Sequence, residues 1–132
     1  MSESSGTDTV ELVRLAFERF NARDADGLAA LMAPDGELYP YAIDERRRDG
    51  YKGHDGLRTY IDDVGRLFAE FHVDISEYKD VGDGVVLAEG RIVGATHDRT
   101  DIDMAASWLW TVRDGKVTRM QAHPATPRRD DA

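Results

Sequence analysis

Near residue 70 the spacing of apolar side chains changes from three or four residues to two, and the change divides the chain into a helical part and a strand part. Before it, Val10, Val13, Ala16, Phe17 and Phe20 form one helical stripe, with Asp8 and Glu11 placed as a capping box at its start. This predicts a helix from about residue 9 to residue 23. A shorter second helix, capped by Asp24 or Asp26, carries Leu28, Leu31 and Met32 and stops at Pro34-Asp35-Gly36. Residues 37–43 have strand composition, with Pro40 confining them to an edge or a bulge. Residues 44–50 form a charged loop, read as a solvated surface loop or as a gate over a pocket. A third helix, capped by Asp55, carries Leu57, Tyr60, Ile61, Val64 and Leu67.

After the change, Phe71, Val73 and Ile75 alternate with His72, Asp74 and Ser76, and residues 85–97, 102–113 and 116–124 follow as three further strands. Residues 81–84 (VGDG), 97–101 (HDRTD) and 113–116 (RDGK) separate them as hairpin turns, the first and last through Asp-Gly. Helices followed by a long antiparallel meander make an α+β fold, with three N-terminal helices packed on one face of a curved sheet. Residues 9–124 read as a single domain, with polar tails at 1–8 and 125–132.

Composition narrows the partners. With 17 Lys and Arg against 26 Asp and Glu, the net charge of −9 disfavours nucleic acid and anionic membranes. No cysteine is present, which excludes disulfides and thiolate metal sites. No apolar run is long enough to span a bilayer and the N-terminus lacks a secretion signal, so the expected compartment is the cytoplasm. His54, His72, His97 and His123 fall on separate elements, so no metal site is expected. No nucleotide-binding glycine motif or nucleophile elbow occurs, and no cofactor is expected.

The strands suggest a pocket. Ile102, Met104, Ala106, Trp108, Trp110 and Val112 share one face of their strand, which must look toward the helices, and Met120 and Ala122 join them from the next strand. Two indoles on an inward face make either plain core or a cavity in which their N–H groups need partners. In the preceding strand, Glu89 and Arg91 share a face with Val85, Leu87 and Val93. Turned inward they are a charged pair in an apolar hollow, with Glu89 as a base oriented by Arg91. Turned outward they are surface residues, with Val86, Ala88 and Ile92 inside.

Three stretches carry a resemblance: residues 21–35 (NARDADGLAALMAPD), residues 51–58 (YKGHDGLR), and Trp110 leading into residues 113–117 (RDGKV). In this order and spacing the chain resembles the nuclear transport factor 2-like superfamily, and more narrowly its SnoaL-like branch of polyketide cyclases and ketosteroid isomerase-like proteins. The resemblance implies a cone-shaped α+β fold on a curved, mixed, mostly antiparallel sheet. It also implies a homodimer through the outer sheet face, here Ala105, Ser107, Leu109, Thr111 and Val117.

The acid and base positions of ketosteroid isomerases fall on Pro40 or Tyr39, Ala16 and Trp108, and those of SnoaL-like cyclases on Ala122 and Met120. None of these can transfer a proton as the family's residues do, unless a slip of register brings in Gln121 or His123. Epoxide-hydrolase-like members use an Asp-Arg-Asp set, which Glu89 and Arg91 resemble in part, with Asp103 as the second carboxylate if it faces inward. The expected occupant is a small hydrophobic or aromatic molecule. Its pocket is lined by Phe17, Tyr39, Tyr41, Tyr60, Met104, Trp108, Trp110 and Met120. Three functions remain: a cofactor-independent acid/base enzyme using Glu89 and Arg91, with Tyr39, Tyr41 or Tyr60 as a hydrogen-bond donor; a non-catalytic binding or accessory protein; or a solid core acting through its surface.

Overall fold

The computed structural model describes residues 6–40 and 50–124. Helix α1 (Gly6–Asn21) and helix α2 (Ala25–Ala29) come first, followed by strands β1 (Met32–Tyr39) and β2 (Tyr51–Lys52). Helix α3 (Gly53–Leu67) then leads into a meander of β3 (Phe68–Gly82), β4 (Val85–Thr96), β5 (Asp101–Arg113) and β6 (Lys116–Pro124). Only two helices therefore precede the sheet in sequence, because α3 is inserted after β2. Helix α1 begins before the expected residue 9, while Asp24 caps α2 as expected, its side chain accepting from the Gly27 N–H at 2.9 Å. Among the described residues no helix is long and apolar enough to cross a membrane. Tyr41, the loop at residues 44–49 and the tail at residues 125–132 lie outside the described residues.

The six strands form one mixed sheet in the order β2-β1-β6-β5-β4-β3. Every adjacent pair is antiparallel except β1 and β6, which run parallel. Strand β1 begins at Met32, earlier than residue 37, because non-local pairing overrides local sequence. Met32 is paired with Val117, the Val117 N–H donates to the Leu31 carbonyl at 2.8 Å, and the Lys116 ammonium donates to the Ala30 carbonyl at 2.7 Å. Pro34-Asp35-Gly36, expected to break the chain, is instead an irregularity within β1, where the register shifts between Met32 and Glu37.

At the β3–β4 and β5–β6 turns, Asp83-Gly84 and Asp114-Gly115 all have positive φ, the backbone that two-residue hairpins require. The exposed edge of β3 is covered where α1 ends. Asn21 Nδ2 donates to the Val73 carbonyl and Val73 N–H donates to Asn21 Oδ1, each at 2.9 Å, while Arg23 donates to the Phe71 carbonyl. The Asn21 amide thus takes the place of a neighbouring strand at that point.

The helices pack on one face of the sheet, and the core lies between. It joins Val13, Ala16, Phe17 and Phe20 of α1, Leu57, Tyr60, Ile61 and Val64 of α3, and the inward residues of the strands. The stripes read from sequence are the ones buried, except that Val10, Leu31 and Leu67 at their ends are half-buried.

Candidate functional site

Strand β5 sets the floor of the site. Ala106, Trp108, Trp110 and Val112 are buried while Asp101, Asp103, Ala105, Leu109 and Arg113 are exposed, so the two indoles face the helices as their spacing requires. Phe17 of α1 meets both of them edge-on, with ring centroids 5.4 Å from Trp108 and 5.0 Å from Trp110. One turn along α1, the Phe20 ring stacks on Tyr60 of α3 at 5.4 Å. Between these walls lies a cavity of about 30 Å³, lined by Phe17, Phe20, Tyr60, Trp108, Trp110 and Met120 and closed by aliphatic side chains. That is room for roughly two waters, and a benzene-sized guest takes about 150 Å³. The cup expected from sequence is therefore nearly filled in this structure, although Met32 and Met120 in its wall are the side chains best able to repack.

Two of the residues that line the cavity carry a polar group. Trp110 is buried, and its indole N–H has no hydrogen-bond partner, the one such buried side-chain atom among the described residues. An orphaned donor of this kind costs about 1–3 kcal/mol. The second is the Tyr60 hydroxyl, whose pKa is pushed above the ordinary tyrosine value by burial and further by the neighbouring Tyr51, with Arg23 opposing. It stays protonated at neutral pH. Tyr51, its ring 5.2 Å from that of Tyr60, is placed differently: its hydroxyl donates to Asp63 Oδ2 at 2.7 Å. Asp63 also accepts from Arg66 at 3.2 Å and is the one buried charged residue among those described. Sequence reading missed Asp63, since it follows Asp62 and looks like part of a polar face. The available signal was its position three residues beyond Tyr60, on the buried side of α3.

The structure corrects several placements. Glu89 and Arg91 do not enter the cavity: in β4 the buried residues are Val86, Ala88 and Ile92, so the odd face looks outward. Arg91 Nε donates to Asp103 Oδ1 at 2.5 Å, with the two side chains 54% and 62% exposed, and Glu89 lies 3.7 Å from the Lys79 ammonium. The reason is electrostatic, since burying either charge costs several kcal/mol. Asp103 is outward too, and the partial likeness to an epoxide-hydrolase set lies outside the cavity.

Tyr39 also faces away from the cavity. Its hydroxyl donates to Glu37 Oε1 at 2.6 Å, and Arg119 and Lys52 lie over its ring at 5.0 and 5.8 Å. Met104 is half-buried and packs against the core without lining the cavity. Val117, expected on the outer face, is buried because β6 bulges between its pairings with Val112 and Thr111, which turns both Val117 and Met120 inward. Phe17, Tyr60, Trp108, Trp110 and Met120 line the cavity as anticipated, and Phe20, Met32 and Leu38 were not anticipated.

The fold is shared widely among solved structures. An NTF2-like protein of unknown function from Burkholderia pseudomallei is 20% identical, with 95% of this chain and 92% of that one aligned at a TM-score of 0.80. TerC, co-crystallised with polyporic acid, is 23% identical over 89% of this chain and 92% of its own, at a TM-score of 0.79. A putative polyketide cyclase from Xanthomonas campestris is 19% identical over 92% and 93%, at a TM-score of 0.76. No curated protein matches the sequence. The SnoaL-like domain profile matches residues 13–120, nearly the whole of the helices, sheet and cavity just described, and the chain belongs to the SnoaL-like domain family.

Proposed function

We propose that this SnoaL-like protein binds a small, mainly apolar molecule bearing an acceptor oxygen, without acid/base catalysis by Glu89 and Arg91. The observation that carries this reading is the unpaired Trp110 N–H in the wall of an apolar cavity. A ligand oxygen at that atom removes the penalty of the orphaned donor, while the aromatic walls supply contact area. No carboxylate or imidazole lines the cavity among the described residues, so the described lining supplies no proton acceptor strong enough to serve as a base. TerC, which shares the fold, was co-crystallised with polyporic acid. For a ring to enter, the methionine and aliphatic walls must yield, so affinity is expected to be modest.

Anisole and ethylbenzene have nearly the same shape and differ in the acceptor oxygen. Titrated against tryptophan fluorescence, anisole is expected to bind about threefold to tenfold more tightly, the usual worth of one hydrogen bond. Trp110→Phe should erase that ratio. Absence of binding by both compounds, or an unchanged ratio in the variant, refutes the reading.

The outer sheet face is proposed to join two copies of the chain. Leu109 and Val93 are each 38% exposed there, beside the small Ala105 and Ser107, and paired charges flank them. Light scattering at micromolar concentration should give a dimer mass, and Leu109→Glu should give a monomer. A monomer for the parent protein ends this assignment.

A further inference from the structure

We infer that two copies of this chain meet with their two-fold axis running along β5, so that the basic β1–β6 side of each sheet lies over the acidic β3–β4 side of the other. The inference rests on the dimer reading above and adds its geometry. Leaving aside the two-residue β2, β5 is the middle strand of the sheet. Its outward residues Ala105, Ser107, Leu109 and Thr111 form an uncharged stripe. The charges on the two sides of that stripe differ in sign. On one side Lys52 and Arg119, the register partners of Glu37, outnumber it; both cations lie over the Tyr39 ring, and neither forms an ion pair with a described residue. On the other side Glu70, Asp74, Glu77 and Glu89 outnumber Lys79 and Arg91, and Arg91 is already held by Asp103. This acidic side is hollowed into a trough of about 810 Å³, lined in part by Asp74, Glu77, Leu87, Glu89 and Ser107.

The same face of two identical sheets is brought together by a two-fold axis that lies between the sheets and parallel to both. An axis along the strands exchanges the two sides, so unlike charges meet on both flanks and the uncharged stripe of β5 packs against itself. The trough of each copy then receives the partner's β1–β6 side. An axis across the strands keeps each side over its own copy, so the unpaired cations face cations and the carboxylates face carboxylates. Each chain carries a net charge of −9, and such contacts add to a repulsion that is already present. Charge patterns of this kind choose between orientations more than they add affinity.

The chain has no cysteine of its own, so single cysteines on the outer face report the axis directly. Ala105→Cys and Thr111→Cys lie at the two ends of the stripe, about 20 Å apart by strand rise, while facing sheets are only about 10 Å apart. With the axis along β5, a short bis-maleimide should join most of the dimer of each variant alone. With the axis across the strands the two positions cannot both meet themselves, and a mixture of the two variants is needed. A second variant tests the charges. Lys52→Gln/Arg119→Gln/Glu77→Gln/Glu89→Gln removes two charges of each sign and leaves the net charge at −9. By light scattering at low salt its dimer should be about threefold to tenfold looser than that of the parent. If the parent is a monomer, the dimer reading itself fails. If the parent is a dimer but either cysteine variant fails to cross-link alone, or the neutralised variant dimerises as tightly as the parent or more so, the orientation is overturned and the dimer stands.

Discussion

Gly90→Ala is expected to destabilise the protein by about 3 kcal/mol, at the upper end of what overpacking costs. Gly90 occupies an inward position of β4, between Ala88 and Ile92. A Cβ there would sit 2.0 Å from the Asp74 carbonyl oxygen and 2.8 Å from the Ile75 Cα. Both are backbone atoms of β3, so no side chain can turn aside and the strand itself must move. The register of β3 against β4 shifts next to this point, between Ile75 and Glu77, and again between Phe68 and Glu70, near Gly94. At Gly94 a Cβ would come within 2.2 Å of the Glu70 carbonyl oxygen. The two glycines are where β3 folds tightly over β4, and that bend helps curl the sheet around its helices. In urea the midpoint should fall by at least about 1 M, given slopes of about 1–3 kcal/mol/M. Gly65→Ala supplies the contrast: an exposed helical position with nothing within 4 Å of the added methyl, where about 0.5–1 kcal/mol of stabilisation is expected. A loss of less than 1 kcal/mol at Gly90 would show that the close crossing is not what bends the sheet.

These glycines also explain which parts of the site could be read from sequence. The parity of β5 was legible because its odd face carries Asp103 and Arg113 while its even face is wholly apolar. In β4 both faces offer aliphatic residues, Val85, Leu87 and Val93 against Val86, Ala88 and Ile92, and periodicity cannot choose between them. The choice is tertiary: Gly90 and Gly94 belong on the face that β3 crosses, and the charges of Glu89 and Arg91 belong in water. Phe17, Tyr60, Trp108, Trp110 and Met120 were legible because each sits on a regular element whose stripe is unambiguous. Tyr39 and Val117 were not, because each lies on a strand with an irregular register, and one extra residue reverses the side to which a side chain points. The early start of β1 escaped for a related reason: Met32 continues a helical pattern locally, and its parallel pairing with β6 involves residues some eighty positions away.

Phe17→Ala is expected to cost about 3–5 kcal/mol in stability and, in the same step, to make the protein a better host for a ring. Phe17 is 5% exposed and touches Trp108, Trp110 and, more distantly, Tyr78 at 6.4 Å, so its removal loses both buried area and the edge-on ring contacts, each worth about 0.5–1.5 kcal/mol. The space it vacates adjoins the cavity of about 30 Å³ and turns a hollow fit for water into one nearer the size of benzene. A ligand that binds only the folded state raises stability by about 2.7 kcal/mol at a hundred times its dissociation constant, which offsets most of the loss. Benzene should therefore raise the melting temperature of Phe17→Ala well above any effect on the parent protein. Val13→Ala is the matched control, a buried α1 position that does not line the cavity, and benzene should do little for it. Equal rescue of both variants, or rescue of neither, would mean that the space under Phe17 is not continuous with the Trp110 cavity. In the matched case the same titration joins stability to binding, since the side chain that fills the cup in the empty protein is then the one a ligand must displace.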